Sequence, residues 1–186
     1  MQRSDHDKHA LDRVFRENLT ALYRLAYTLL RQREEAEDAV QDAWLRIAGT
    51  GLPPGSVRHP RGWMFRIVRN LCIDRLRARR THLRVVSTET DIAMLPAPED
   101  ARAMADTAQE AVEALARTMK AMDDLPRDLA EILALVVVEE MSYRDAAEVL
   151  EIPVGTVRSR LNRARRSLRD ILAADEARTV RERSLR

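Results

Sequence analysis

Between Thr156 and Arg169 the chain carries six arginines and no acidic residue. Thr156, Arg158, Ser159, Asn162, Arg163 and Arg166 recur there mostly three or four residues apart, the spacing that gathers side chains on one helix face. Their chemistry suits a DNA major groove. Arginine can donate two hydrogen bonds to guanine and asparagine can pair with adenine, while serine or threonine can meet phosphate near a helix N-terminus. A second cluster, Arg61, Arg66, Arg69, Asn70, Arg77, Arg79 and Arg80, surrounds an apolar stripe. Arginines of this kind anchor phosphates, and an amide can read a base edge. Trp63 has a ring able to stack on a nucleotide, but it continues the Ile67–Leu71 stripe and suits a core equally well. A third set, Glu34, Asp38, Gln41 and Asp42, shares one side of a predicted helix. An acidic face with a glutamine in it suits a basic partner, for which polar contacts supply orientation and on-rate. The plainer alternative is surface carboxylates favoured by a helix N-terminus.

These groups need helices to hold them. Leu11, Phe15, Leu19, Leu22, Ala26 and Leu29 predict a helix from about His9 to Arg31, with Tyr23 and Tyr27 as an aromatic pair. Ala36, Val40, Ala43 and Ile47 mark a second, from about Glu34 to Ala48, stopped by the glycines and prolines of residues 49–55. A third starts near Pro60 and reaches about Arg80, with Trp63, Ile67, Leu71, Cys72 and Leu76 inside. From Thr81 to about Asp106 the period is lost and acids and prolines accumulate, the pattern of an extended linker. Beyond it come a helix from about Gln109 to Met122, another after Pro126 carrying Leu129, Ile132, Leu133, Leu135, Val136 and Val138, and a short one from Tyr143 to Leu150. Ser142 has the identity of an N-cap, with Asp145 three residues on. The last helix is expected from about Thr156 to Ala173, followed by a charged, frayed tail.

The result is an all-α chain of two small helical domains joined by a flexible linker: residues 1–80, a linker at 81–108, residues 109–174, and a tail at 175–186. On this reading the two domains reorient freely. The segment from Met141 to Arg169 has the layout of a helix-turn-helix, with Ala146, Ala147, Leu150, Ile152, Val154 and Val157 packing the two helices together. Glu151 stands in the turn where such motifs often carry glycine.

Ile152-Pro-Val-Gly-Thr-Val-Arg-Ser-Arg160, following Met141-Ser-Tyr-Arg-Asp-Ala-Ala147, closely resembles region 4 of the extracytoplasmic-function (ECF) class of bacterial RNA polymerase sigma factors. Residues Glu34 to Trp44 resemble the core-binding segment of that family, and His59 to Arg75 resemble its −10 segment. The three blocks stand in the family's order and cover roughly residues 10–80 and 109–173. The resemblance implies a promoter-reading subunit, with Thr156, Arg158, Ser159, Asn162 and Arg163 on −35 DNA. It implies Trp63, Arg66, Arg69, Asn70 and Arg77 on −10 DNA, around a pocket for an unstacked base covered by the loop at 49–59. Asp38, Gln41 and Asp42 would meet core RNA polymerase at the coiled coil of the β′ clamp, with the β subunit as a further contact. It also implies control by an anti-sigma factor.

Composition agrees. Hydrophobic residues make up 45% and charged residues 33%, yet the net charge is only +2, so the acids and bases are segregated along the chain and not depleted. Few glycines and aromatics favour helix over β-sandwich. Cys72 is the only cysteine, so an intrachain disulfide is impossible and a buried apolar role is expected. The polar start MQRSDHDKHA lacks the apolar core of a signal peptide, and no apolar run approaches the roughly 20 residues that cross a bilayer. A cytoplasmic protein without membrane insertion is expected. The histidines at 6, 9, 59 and 82 are scattered, no serine or cysteine has a base partner, and no glycine loop cradles phosphate. Neither catalysis nor a metal or other cofactor is expected. An ordinary helix-turn-helix repressor would carry a ligand or receiver domain in place of the acidic and arginine-rich helices. A sigma-like mimic that binds only an anti-sigma factor would have an eroded basic helix.

Overall fold

The apolar stripes become helices in a computed structural model of the chain, which describes residues 2–50, 59–83 and 117–183. α1 (Gln2–Leu30), α2 (Arg33–Thr50) and α3 (Pro60–Leu83) pack mutually into a first unit. Arg31, with a left-handed φ of 56°, breaks the chain between α1 and α2. The α2 stripe is buried as its spacing predicts, and Ala39 joins it. In α1, Leu11, Phe15, Leu22, Ala26 and Leu29 are buried, whereas Leu19 is 45% exposed at the margin of the stripe. Tyr23 and Tyr27 do pair, with ring centroids 6.4 Å apart. The inner face of α3 is rotated from the expected one. Met64, Phe65 and Val68 are fully buried with Leu71 and Cys72, while Trp63, Ile67 and Leu76 are only partly covered.

The second unit contains helical residues 117–123 (α4), α5 (Arg127–Leu133), a π-helical turn (Ala134–Val138), α6 (Tyr143–Leu150) and α7 (Val154–Arg183). Pro126 starts α5, and its carbonyl accepts the amides of Leu129 and Ala130. The π turn closes with the Glu139 amide on the Ala134 carbonyl at 2.9 Å. Its wider turn breaks the 3.6-residue period. That is why Leu135 is buried while Val138, expected inside, is 44% exposed. α7 runs ten residues past the expected end at Ala173. From residue 173 the sequence is rich in alanine, glutamate and arginine, all good helix formers, and has neither glycine nor proline. α2 runs two residues past its expected end at Ala48, through Gly49 to Thr50, and α3 runs through Leu83, past the expected start of the linker at Thr81. The rest of the stop expected at 49–55, the rest of that linker and the start of the helix expected from Gln109 lie outside the described residues.

Both all-α units are present, but they are not independent. α6 packs on α3, and α5 and the π turn pack on α1, so the buried residues form one continuous core. The seam is also polar. Arg31 donates to the Leu125 carbonyl at 2.7 Å, and in return Arg127 donates to the Leu29 carbonyl at 3.0 Å. Leu29 lies in the last turn of α1, where carbonyls lack intrahelical partners. Each unit thus supplies an arginine to the other's backbone.

Candidate nucleic-acid interface

The helix-turn-helix is built by local bonding. The Ser142 hydroxyl accepts the Asp145 amide at 3.1 Å and donates to the Asp145 carboxylate at 2.7 Å, which caps α6. Capping of this kind contributes about 1 kcal/mol. Glu151 closes α6 in the left-handed region, at φ 55° and ψ 42°, with its amide on the Ala147 carbonyl. This is the conformation that favours glycine, and an L side chain there costs about 1–2 kcal/mol. The Pro153 carbonyl then accepts the amides of Thr156 and Val157 at 2.8 and 3.1 Å, restarting the helix as α7.

Val157, Leu161 and Ala164 form the buried edge of α7, which packs on α5 and α6. Ala146, Ala147 and Leu150 are buried as expected, and so is Val149. Ile152 is half-buried, and Val154, expected in the core, is 38% exposed because it opens α7. Arg158, Ser159, Asn162, Arg163 and Arg166 are all exposed on the opposite side, and Thr156 is half-buried at its start. Ser159 donates its hydroxyl proton to the Thr156 carbonyl at 3.0 Å, which leaves it as an acceptor. Arg160 turns the other way. It lines a cleft of about 430 Å³ along the seam, with Arg127, Arg80, Leu29, Ile73 and Leu76. Burial, and then the nearby charges of Arg31, Arg80 and Arg79, push the Arg127 guanidinium below its ordinary pKa.

On α3 the expected −10 residues separate. Arg66 and Asn70 are exposed, and so is Arg77, which forms a loose surface ion pair with Asp74 at 3.6 Å. Trp63 is half-buried against the core. Arg69 is not on the open face. Its side chain is 17% exposed, and Nε donates to Glu131 of α5 at 2.7 Å. Arg61 is held likewise, donating to both the carboxylate and the carbonyl of Glu139 at 3.0 Å. Arg79 is tied to Gln32 and Glu35 of its own unit. Cys72 is buried, and loss of solvent pushes its thiol up to about 12, with Arg75 opposing. It stays protonated near neutrality.

The acidic side of α2 divides too. Glu34, Asp38 and Gln41 are exposed, whereas Asp42 is half-buried and ion-paired with Arg75. Arg75 also donates to the Glu35 carbonyl at 2.8 Å, so Asp42 helps hold α3 on α2. Leu45, at 60% exposure, lies four residues beyond Gln41 and seven beyond Asp38, on the same face. It gives the acidic face an apolar contact that stripe counting overlooked. The signal was present: a leucine interrupting the polar side of an amphipathic helix. Glu131 and Glu139, only 3% and 6% exposed, were missed as well. Nothing local marks them, because their partners lie 62 to 115 residues away.

Family comparison covers both units. The profile of Sigma-70 region 2 matches residues 14–82, and that of Sigma-70 region 4 matches residues 115–168. The chain is 32% identical over 179 residues to the ECF RNA polymerase sigma factor SigE of Mycolicibacterium smegmatis, covering 91% of this chain and 64% of that one. It therefore spans slightly under two thirds of that relative's length. It is 36% identical over 170 residues to SigM of Mycobacterium tuberculosis, an ECF RNA polymerase sigma factor, covering 89% and 79% of the two chains. Among solved structures it resembles the sigma factor RpoE in complex with the anti-sigma factor NepR from Bartonella quintana. The TM-score there is 0.66 at 28% identity, over 86% of this chain and 96% of that one. CnrH, solved with the cytosolic domain of CnrY, shares the fold with a TM-score of 0.60 at 23% identity, over 90% of both chains.

Proposed function

The chain belongs to the ECF class of sigma-70 factors, and from that premise we propose that it binds core RNA polymerase and directs initiation at promoters bearing −35 and −10 elements. One observation carries the reading: a single chain presents two unlike faces at once. The α7 face is cationic and amide-bearing (Arg158, Asn162, Arg163), and the α2 face is acidic with an apolar centre (Asp38, Gln41, Leu45). The first suits base edges and phosphates. The second suits a basic helix, which we take to be the polymerase clamp. Arg66, Asn70 and Arg77 remain open on α3 for −10 DNA. An anti-sigma factor is the expected regulator, because RpoE, which matches across both units, was captured with one.

A reconstitution tests the proposal. Neither the chain nor core polymerase alone should shift a promoter fragment specifically, whereas the mixture should shift it and initiate at a fixed base. Specific binding by the chain alone, unaffected by core polymerase, would make it an ordinary DNA-binding regulator instead.

A further inference from the structure

The cleft of about 430 Å³ belongs to neither the α7 face nor the acidic face of α2. Its volume lies in the range of small-molecule sites, which combine an apolar lining with a few convergent polar groups. The apolar part here is Leu29, Ile73 and Leu76. The polar part is mostly guanidinium and comes from three helices: Arg80 of α3, Arg127 of α5 and Arg160 of α7.

Charge does not balance inside this cleft. Arg69 and Glu131 neutralise each other at 2.7 Å, and Arg77 pairs loosely with Asp74 at 3.6 Å. Arg80, Arg127 and Arg160 form no ion pair among the described residues, and Asp128 is the one other acid in the lining. Three cations therefore face one carboxylate. Their crowding is felt: burial first, and then neighbouring arginines including Arg80, push the Arg127 guanidinium below its ordinary pKa. An anion placed among these groups relieves their mutual repulsion.

The arrangement suits phosphate better than a lone carboxylate. Nε of Arg127 donates to the Leu29 carbonyl at 3.0 Å, which fixes the guanidinium and leaves its two terminal amino groups for other oxygens. Planar guanidinium forks take phosphate oxygens in pairs. A diphosphate can meet several such forks at once, where a carboxylate satisfies one. The apolar lining adds a place for a flat, weakly polar body, which inorganic phosphates lack. A nucleotide has both parts.

We propose that this cleft binds a nucleoside diphosphate, with Arg80, Arg127 and Arg160 on the phosphates and the base against Leu29, Ile73 and Leu76. The site goes beyond the promoter reading and does not depend on it, because the free chain makes every contact. The ligand bridges α3, α5 and α7, so binding stabilises the folded chain.

GDP in magnesium-free buffer is the probe, used at about 0.15 M salt to screen loose attraction to surface arginines. Titrated into the free chain, it should bind saturably at one site by calorimetry. At about ten times its Kd it should raise the thermal midpoint by about 3–6 °C. R80Q and R160Q should each weaken binding about tenfold or more, as loss of a charge-assisted hydrogen bond does. The ligand-free midpoint checks that each variant folds, and since Arg80 is exposed, R80Q stays informative if R160Q does not fold. R158Q/R163Q should bind GDP as wild type does. Pyrophosphate should bind about tenfold more weakly than GDP, because it leaves the apolar lining uncovered. Absence of saturable GDP binding, or unchanged binding by a folded R80Q chain, overturns the site. Loss of binding in R158Q/R163Q would put the phosphates on the DNA-facing side of α7 and overturn it as well. Pyrophosphate binding as tightly as GDP overturns the nucleotide assignment, since the apolar lining would then contribute nothing.

Discussion

Replacing Glu151 with glycine should stabilise the protein, and the size of the gain follows from the turn. Glu151 sits at φ 55° and ψ 42° at the end of α6, a region that costs an L residue about 1–2 kcal/mol. Glycine avoids that cost but gives up about 0.5–1 kcal/mol of entropy on folding. Among the described residues no hydrogen bond of the exposed Glu151 side chain opposes the exchange, so the net gain should be about 0.5–1 kcal/mol. For a chain of 150–250 residues each kcal/mol moves the thermal midpoint by about 2–4 °C, so a rise of roughly 1–4 °C is expected by calorimetry. Arg31 provides the contrast. It has a similar φ of 56°, but its guanidinium donates to the Leu125 carbonyl, so R31G should gain nothing or lose stability. An E151G chain less stable than wild type would mean that residue 151 does not hold the left-handed turn, and the angle between α6 and α7 would need redrawing.

Three further outcomes are expected. D38K should abolish co-purification with core polymerase without lowering the thermal midpoint, whereas D42K should also destabilise the chain by breaking the Arg75 pair. N70A should impair open-complex formation on duplex promoters and recover partly on templates mismatched at −10, where the unpairing cost has been removed; equal defects on both would point to a docking role. Burial raises the Glu131 carboxyl above its ordinary value of 4.5 despite Arg69, so the folded state holds that proton more tightly than the unfolded state does. Its stabilising contribution is therefore complete below the ordinary glutamate range and is lost as pH rises through the raised value. The thermal-midpoint difference, wild type minus E131Q, should shrink as pH rises above the ordinary glutamate range; a growing difference would mean that the Arg69 attraction outweighs burial.

Local rules made much of this architecture legible. The Ala36–Val40–Ala43–Ile47 stripe, the Ser142 cap and the outward face of α7 each depend on residues within about two turns of one another, and all three stand as read. The face of α3 was harder, because it packs against neighbours on more than one side and its fully buried residues do not follow a single stripe. Arg69 shows the deeper limit. An arginine three residues after Arg66 and beside Asn70 has the same sequence pattern whether it faces phosphate or a carboxylate from α5, and only the tertiary fold brings Glu131 to it. The π turn defeats periodic reading for another reason, since one wide turn shifts the phase of every residue after it.

The central claim is that one chain reads two separated promoter elements, with α7 on the upstream one. A hydroxyl-radical footprint of reconstituted holoenzyme tests this most directly when wild type is compared with R158A/R163A. Each lost bidentate contact should cost about 1–3 kcal/mol of base discrimination, and both arginines are exposed, so folding should be unaffected. Wild type should protect two patches, and the variant should lose the upstream patch while still binding core polymerase. An unchanged upstream patch, or loss of core binding along with it, would contradict the assignment of α7.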